Sequence, residues 1–583
     1  MRRPAALLAY TLLAVALFAK VWIDPAASWI GDSKDPKLFI WYLGWLPSQL
    51  AQLHNPLLTD YLAYPQGANL MWNTSIIFPA LVLWPVTAAF GPVVAYNVLV
   101  TAGVALSAWL AFLVAERYLE PPLLAGVVGL LYGFSPGLLA QATRHPHVMI
   151  AVFPPLLWLL LDEILVRQRR PPAVMGALAG VACALQLLTG EEVLAVTLLI
   201  AFLGIALLAG LHWGSLGGRL PYVGRAAAAA VLVLLLVAGY PLAVQLFGPQ
   251  QVAGSLQPAD FYVSDLIGFI SPDPALLRFG GSAETIRQLT GNVSERDAYV
   301  GIPLLALFLA GLAVNWRRPV VRWAGLLTLV VALLSLGPRL HIYGNPHLVL
   351  PWALVARLPL LGSALPSRLM LTAFLGIALV AAALVGRAYQ SGPWVRWGSM
   401  ALLAIGVLSL VPVWPFPSTA AAAPRFFQPG GGVESVPRGS VVLVTPFSSS
   451  RSTDAMYWQA LAGYRFRMPE GDAFTPGPYL GPHPTYLQTT LDQLDSGQDP
   501  QLSGDSRDRA LQSLADMHVS AVVVGPSPGR QRILQFLASV LDGPPAEIDG
   551  VYVWRDVDQA TAVGRSARIS SATSPRSAAA VSA

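Results

Sequence analysis

The sequence predicts a mainly α-helical, polytopic membrane protein that ends in a small α/β domain outside the membrane. Of its 583 residues, 55% are hydrophobic and 11% are charged, whereas soluble domains carry about 25% charge. The charge is unevenly spread, with 28 charged residues in 418–583 and 39 in 1–417. This composition excludes an ordinary soluble enzyme. The net charge of +5 comes from Arg residues dispersed between apolar segments, which does not predict nucleic-acid binding.

Eleven apolar segments predict a bundle of membrane helices over 1–417, since a transmembrane helix takes about 20 apolar residues. They cover 4–23, 93–116, 122–136, 148–166, 173–190, 191–211, 226–247, 299–315, 322–337, 367–386 and 397–414. The apolar segment 76–90 is short and contains Pro79 and Pro85. We therefore predict that this segment lies at the membrane interface or re-enters the membrane.

The distribution of Arg residues predicts the orientation of these spans. With a cytoplasmic N-terminus, every short connector that contains Arg falls on the inner side, as the positive-inside rule requires. The long segments 24–92, 248–298 and 338–366 then lie outside, together with the C-terminal domain. The chain uses Arg far more than Lys and is rich in Ala, Gly and Pro, which is typical of GC-rich bacterial genomes. The predicted location is therefore a bacterial inner (plasma) membrane.

The last part of the sequence predicts a separate domain. A Gly-rich linker over 418–432 is followed by strand-like runs and by a helical pattern at 507–517. The strand-like runs are 440–445, 520–524 and 551–554. We predict an extracytoplasmic α/β domain over 433–557 and a disordered tail over 558–583 that is rich in Ala, Ser and Arg.

Two carboxylates follow the first predicted span. Asp32 and Asp35 lie beside an aromatic stretch with Trp41 and Trp45, which suits a helix at the lipid headgroups. An acid this close to a membrane helix can act as a base on a substrate whose phosphate lies at the headgroups. We predict Asp32 as this base and Asp35 as a second catalytic candidate. In the alternative, Asp32 caps a surface helix and Asp35 is a solvated loop residue.

The layout of this loop resembles the GT-C superfamily of integral-membrane glycosyltransferases, in which an acidic motif follows the first span and juxtamembrane helices come next. The stretch NPLLTDYLAYPQGANL at 55–70 is similar to bacterial YfhO-like and uncharacterised GT-C membrane proteins. This sequence has two residues between its acids, whereas the family commonly has one or none, so the participation of Asp35 stays open.

The resemblance implies a GT-C-like helical bundle and an inverting glycosyltransferase. It implies a polyprenyl-phosphate-linked sugar as donor and a cell-envelope glycan, lipid or protein as acceptor, with membrane lipid around the enzyme. The cofactor stays open, a divalent metal ion being one option.

A basic cluster follows the third predicted span, where the sequence reads Arg144-His145-Pro146-His147. Two His residues can bind a metal ion, but the proline between them disfavours a joint ligand geometry. The resemblance implies that a His at 145 or 147 borders the active cavity, so we predict that Arg144, His145 and His147 contact phosphate or acceptor. An interfacial Arg-His cluster without function is the alternative.

Three further residues are predicted to bind substrate. Glu191 and Glu192 lie at a tight outer turn, where they face water or a polar cavity; they are predicted to form a sugar- or metal-binding pair, and the alternative is a helix N-terminus, where acids interact favourably with the dipole. Arg368 lies at the outer edge of a span, against the positive-inside bias, where it either pairs with the donor phosphate or snorkels to lipid phosphate.

The outer loop 248–298 is predicted to form part of an acceptor groove through Asp260, Asp265 and Asp273. It also contains Asn292-Val293-Ser294, which fits a glycosylation sequon and is a frequent chance match. Two other functions remain open from the sequence. One is a transporter or flippase of lipid-linked glycans, and the other is a non-catalytic envelope protein that binds glycans.

Overall fold

The structure is a computed structural model, and it divides the chain into two compact units. The first unit comprises residues 1–43, 74–243 and 254–421, and the second comprises 44–73, 244–253 and 422–583. The described residues are 2–211, 217–253, 257–258, 260–296, 298–358, 361–446, 452–477, 480–541 and 543–558. All of the predicted disordered tail except its first residue lies outside them. The predicted domain boundaries stay predictions.

The first unit is helical, and many of its helices begin with a proline in their first turn, where the missing N–H costs no hydrogen bond. Its helices are α1 (Arg3–Leu17), α2 (Ala19–Trp22), α3 (Asp35–Ala51, which continues into the second unit), α4 (Ile77–Val82), α5 (Trp84–Phe90), α6 (Pro92–Glu116), α7 (Pro122–Gly133), α8 (Pro136–Ala142), α9 (Pro146–Met149), α10 (Phe153–Leu161), α11 (Pro172–Leu187), α12 (Glu191–Leu211), α13 (Leu220–Phe247, which also continues into the second unit), α14 (Ala283–Gln288), α15 (Ile302–Val314), α16 (Pro319–Ser335), α17 (Trp352–Val355), α18 (Leu369–Ala388) and α19 (Pro393–Ser409). A π-helical turn, Asp162–Arg167, extends α10.

Helices lie at the positions of all eleven predicted spans. Within the described residues, five helical segments are long and apolar enough to cross a membrane, and the pair α7 and α8, bent by 43°, counts as a sixth if it forms one span. The five are Pro92–Glu116, Pro146–Arg167, Glu191–Leu211, Gly217–Phe247 and Pro366–Ala388. Eleven membrane crossings and their orientation stay predictions. The segment predicted to be interfacial or re-entrant folds into α4 and α5.

Close helix contacts in this unit depend on glycine. On α11, a Cβ at Gly176 or Gly180 would collide with a backbone carbonyl oxygen of α13, that of Ala226 or of Ala230. Small residues let two helix backbones approach closely, which is the usual route to tight packing in membranes. The two helices therefore meet through a glycine-lined face.

A two-stranded antiparallel sheet holds the segment that precedes α3. Strand β1 (Ser28–Ile30) pairs with a strand near the end of the first unit, Ser418–Ala420. The buried Asn97 of α6 accepts a hydrogen bond from the Ile30 N–H at 3.1 Å and donates to the carbonyl oxygens of Pro25 and Ser28 at 2.9 and 2.8 Å. The chain just before Asp35 is thus fixed from two sides.

The remaining strands of the chain, numbered in sequence order with Ser418–Ala420 as β6, lie in three further sheets. They are β2 (Leu58–Thr59), β3 (Ala68–Asn69), β4 (Arg339–Ile342), β5 (Asn345–Val349), β7 (Val442–Thr445), β8 (Ala521–Val524), β9 (Ala546–Ile548) and β10 (Val551–Trp554). In the first unit β4 and β5 form an antiparallel hairpin, and in the second unit β2 pairs with β3.

The second unit contains a four-stranded mixed sheet in the order β7-β8-β10-β9, in which only β7 and β8 are parallel. Its helices are α20 (Asp454–Leu461), α21 (Tyr486–Asp495), α22 (Ser506–Asp516) and α23 (Arg530–Val540). The core between sheet and helices is aliphatic, with Leu443, Leu514, Val522 and Leu537 fully buried. Strands lie at the three predicted runs, and α22 lies at the predicted helix.

Candidate active site

Polar side chains from distant parts of the first unit meet in one place, which we call the polar cluster. Its members are Asp35, Gln141, His145, Glu192, Glu295, Ser367 and Arg368. Most of them lie at helix ends: Asp35 begins α3, His145 directly precedes α9, Glu192 is in the first turn of α12 and Arg368 directly precedes α18. The cluster unites four of the sequence-predicted residues.

Arg368 is the charge at the centre of the polar cluster, with a side chain only 9% exposed. Its Nη2 donates to Glu295 Oε1 at 2.6 Å, its Nε lies 3.2–3.3 Å from both oxygens of Glu295, and its Nη1 donates to Glu192. The other oxygen of Glu192 accepts the backbone N–H of Leu365 at 2.8 Å. A buried guanidinium is thus held by two carboxylates, which is the condition under which a buried charge is tolerated.

Glu295 is a central residue that the sequence analysis missed. Its side chain is 1% exposed and accepts hydrogen bonds from Arg368, Gln141 and Ser367. The preceding Asn292 forms a turn in which its Oδ1 accepts the backbone N–H groups of Ser294 and Glu295 at 3.0 and 3.2 Å. The only sequence signal was this Asn-x-Ser pattern, which fits a capped turn as well as a sequon.

His145 lies between two carboxylates of the polar cluster. Its Nε2 is 3.6 Å from Asp35 Oδ2, and its Nδ1 is 3.6 Å from Glu295 Oε1 and 2.8 Å from Gln141 Oε1. Burial lowers the pKa of His145 well below its usual range, and the charges of Arg368, Arg144 and Lys34 act in the same direction. The imidazole is therefore neutral at physiological pH, despite its acidic neighbours.

The two predicted catalytic acids, Asp32 and Asp35, have different surroundings. Asp35 reaches His145, whereas Asp32 is exposed and does not take part in the described contacts of the polar cluster. Gly31 precedes them with φ of 105°, and a Cβ there would collide with the carbonyl oxygen of Thr143. This close approach requires glycine, and it brings the start of α3 against the segment that carries His145.

The other predicted site residues border the polar cluster. Arg144 is half-buried, and its Nε has no hydrogen-bond partner among the described residues. His147 is 7% exposed, and its ring centroid lies 5.8 Å from that of His145 and 5.3 Å from that of Phe39. Its Nδ1 likewise has no hydrogen-bond partner in the described part of the chain. Glu191 is half-buried at the first position of α12.

An apolar cavity of about 260 Å³ lies in the first unit, between α10, α12, α16 and α18. Side chains such as Trp158, Ile200 and Trp323 line it. A small cavity of about 20 Å³ is lined by Glu192 and Arg368 and shares its lining residues Pro154, Thr197 and Thr372 with the large one. Three residues thus line both the large apolar cavity and the small cavity to which Glu192 and Arg368 contribute.

The three acids predicted to line an acceptor groove, Asp260, Asp265 and Asp273, are used locally. Asp260 binds Arg339 and His341, and Asp265 accepts the backbone N–H groups of Tyr343 and Gly344 at 3.2 and 2.7 Å. Asp273 accepts the N–H of Ala275, and burial raises the pKa of its carboxyl. These contacts stabilise the loop. A role in an acceptor groove stays a prediction.

The polar cluster does not have the donor set of a divalent metal site. Within the described ranges, no group of three or more His, Cys, Asp or Glu side chains is arranged to hold a metal ion. Glu295 and Glu192 are both bound to Arg368, whose positive charge would repel a cation at the same oxygens. No step is therefore derived through a metal ion, and the cofactor stays open.

Comparison with known proteins shows a shared fold. No family model matches the sequence, and no curated protein matches it. Among solved structures, the arabinofuranosyltransferase AftD from Mycobacteria is 16% identical with a TM-score of 0.54, over 95% of this chain and 40% of the AftD chain. The oligosaccharyltransferase AglB from Archaeoglobus fulgidus, in complex with an inhibitory peptide and a dolichol-phosphate, is 13% identical with a TM-score of 0.50, over 90% of this chain and 69% of that one. This chain shares the fold of both proteins, in agreement with the GT-C fold that the sequence resemblance implies.

Proposed function

We propose that this protein is an inverting GT-C glycosyltransferase that moves a sugar from a polyprenyl-phosphate donor to a cell-envelope acceptor, on the outer face of a bacterial inner membrane. The observation that carries the proposal is that Glu192 and Arg368 of the polar cluster line a small cavity that shares three lining residues with the apolar cavity, in a fold shared with glycosyltransferases. A lipid-linked sugar needs both environments, an apolar one for the chain and a polar one for the phosphate and sugar. The dolichol-phosphate bound to AglB supports a donor of this class.

The cavity and its rim suggest how the donor binds. An isoprenoid chain is stable only where it is shielded from water, and the apolar cavity between α10, α12, α16 and α18 supplies such a space. The phosphate then lies near Arg368 and Arg144. The buried Nε of Arg144, which has no partner among the described residues, can donate to a phosphate oxygen.

The proposed reaction is a single displacement at the anomeric carbon. The acceptor hydroxyl oxygen forms the new bond to this carbon as the bond to the phosphate oxygen breaks, and the phosphate leaves on the lipid with the electron pair. Asp35 takes the hydroxyl proton, because it is the one of the two predicted catalytic acids that belongs to the polar cluster. Nearby guanidinium groups stabilise the charge that develops on the phosphate.

The test compares two matched substitutions, Asp35→Asn and Asp32→Asn. Purified protein in vesicles is given radiolabelled decaprenyl- and undecaprenyl-phosphate-linked pentoses and hexoses, with extracted cell-envelope material as acceptor. The expected result is transfer by the wild type, a kcat at least about 100-fold lower in Asp35→Asn, because a positioned base contributes that much or more, and near-normal transfer by Asp32→Asn. The reverse pattern would restore Asp32 as the base.

The same assay separates the other functions. Movement of the labelled lipid across the vesicle without bond cleavage indicates a transporter or flippase. Binding of envelope glycan without turnover indicates a non-catalytic protein. Either result contradicts the proposed transfer.

A further inference from the structure

The orientation of the Gln141 amide follows from its neighbours. Gln141 is fully buried, and its Nε2 lies 2.8 Å from the carbonyl oxygen of Ser294 and 3.3 Å from Glu295 Oε2. A backbone carbonyl oxygen only accepts hydrogen bonds, so the NH2 group of Gln141 must point towards Ser294. The amide oxygen then faces His145 Nδ1 at 2.8 Å.

This orientation determines which nitrogen of His145 carries the proton. An amide oxygen only accepts, so Nδ1 of the neutral ring must be the N–H donor and Nε2 must be unprotonated. Nε2 therefore presents a lone pair to Asp35 Oδ2 at 3.6 Å. With Asp35 ionised, both atoms are acceptors and no hydrogen bond forms between them.

We propose that His145 is the proton partner of Asp35: its Nε2 accepts a hydrogen bond from the Asp35 carboxyl once that carboxyl has been protonated, and Gln141 keeps this nitrogen free to do so. The proposal rests on the proposed function, since the proton comes from the acceptor hydroxyl. Both residues act through Asp35, so they are positioning residues. The hydrogen bond exists only as the reaction proceeds, and an interaction of this kind raises kcat.

The proton balance is simple. The acceptor O–H bond breaks, its electron pair forms the bond to the anomeric carbon, and the proton forms an O–H bond on Asp35. This O–H then points to His145 Nε2. When the product has left, the proton passes to water and Asp35 returns to its ionised form.

The charged and titratable groups around the ring support a neutral His145. They are Asp35 and Glu295 on its two sides, with Arg368, Arg144, Lys34 and His147 as further neighbours. The three cations and burial keep the pKa of His145 low. A positively charged ring, which would donate from Nε2 to an ionised Asp35, is thereby disfavoured.

The first measurement is the tautomer of His145 in the full-length protein in lipid, by solid-state NMR with 15N-labelled histidine. The chain has eight histidines, so the spectrum of His145→Gln identifies the signals of His145. The expected result is a protonated Nδ1 and an unprotonated Nε2. A protonated Nε2 in the wild type would overturn the proposal, whatever the activity.

Three variants sharpen this test. Gln141→Met removes the amide oxygen, and the protonation of His145 should shift to a mixture of tautomers. Gln459→Met is the control, because Gln459 is also fully buried and donates to the carbonyl oxygens of Tyr61 and Phe466. This variant should leave the His145 signals unchanged. Asp35→Asn places an N–H donor where the protonated carboxyl would be. The 15N signal of His145 Nε2 should therefore shift in the direction typical of a nitrogen that accepts a hydrogen bond. An unmoved signal contradicts the pairing.

The second measurement is turnover, with the vesicle assay described above. Gln141→Met should lower kcat about 10- to 100-fold, because the hydrogen bond from protonated Asp35 to His145 would be weakened in the transition state. The KM should change little, because this hydrogen bond is absent when the substrate binds. The acidic limb of its pH profile should move to lower pH, because protonated Asp35 is stabilised less. An unchanged kcat and pH profile would refute the assignment. If no sugar is transferred but the tautomer is as expected, the proposed function fails and the role of His145 in it falls with it, whereas the tautomer assignment stands.

Discussion

Removal of Arg368 tests whether the polar cluster depends on its one buried cation. Arg368→Met keeps the length of the side chain but leaves Glu295, which is 1% exposed, and Glu192 without their common partner. Breaking a buried ion pair by deleting one member costs about 3–5 kcal/mol, because the remaining charge stays buried. Here two carboxylates are left, so we expect the upper end of that range at neutral pH.

Cys183 provides the assay, because it is the only cysteine in the chain and lies half-buried on α11. A dye that becomes fluorescent on reacting with a thiol reports thermal unfolding of detergent-solubilised protein as Cys183 becomes accessible. We expect the Tm of Arg368→Met to fall by on the order of 5–10 °C. Part of the loss should be recovered at pH 5, where a carboxylate can take up a proton.

A matched control comes from an exposed ion pair in the same unit. Arg287 lies 3.0 Å from Glu284, and both side chains are more than two-thirds exposed. Such pairs contribute about 0–1 kcal/mol, so Arg287→Met should leave the Tm nearly unchanged. Equal Tm values for the Arg368 and Arg287 variants would refute the reasoning that the polar cluster is an electrostatically coupled unit.

Three further results are expected. Burial raises the pKa of Glu470 to about 8, so the second unit should lose stability as the pH rises from about 4.5 to about 8. The free energy of unfolding of Glu470→Gln should therefore exceed that of the wild type by roughly 4 kcal/mol above pH 8 and equal it at pH 4. Unfolding measured at both pH values checks this. Ala201→Phe fills part of the apolar cavity and should raise the KM for a polyprenyl-phosphate sugar at least tenfold, while Ala206→Phe on the exposed side of the same helix should not. In a cysteine-free background, a cysteine replacing Arg169 should be protected from an impermeant thiol reagent in whole cells and one replacing Thr285 should react; the opposite pattern would reverse the predicted orientation.

Local features of the sequence were sufficient for most helix and strand positions. Apolar runs of 15–24 residues and prolines at their starts act within a few residues, so they predicted a helix at each of the eleven segments. Whether a shorter helix such as Ile302–Val314 crosses the bilayer depends on lipid thickness and on its neighbours. Its sequence alone does not carry that information.

The composition of the polar cluster was only partly predictable. The sequence identified Arg368 as a candidate because its predicted position at the outer edge of a span opposes the positive-inside bias. In the structure Arg368 pairs with Glu295, 73 residues earlier in the chain. Nothing in the local sequence of Glu295 signals this partner. Similarly, the choice between Asp32 and Asp35 depends on the positive φ of Gly31 and on its contact with Thr143, which are tertiary features.

The pairing of β1 with β6 has a consequence for biosynthesis. Membrane proteins are made and inserted from the N-terminus, so residues 28–30 leave the ribosome almost 400 residues before their partners at 418–420. Until then one edge of β1 is unpaired, and the Gly31 N–H and carbonyl oxygen lack their bonds to Pro417 and Thr419. The acid at the start of α3 would therefore reach its final position only after the last helix of the first unit has been synthesised. A nascent chain arrested before residue 418 would therefore contain the helices of the first unit but lack the strand that pairs with β1.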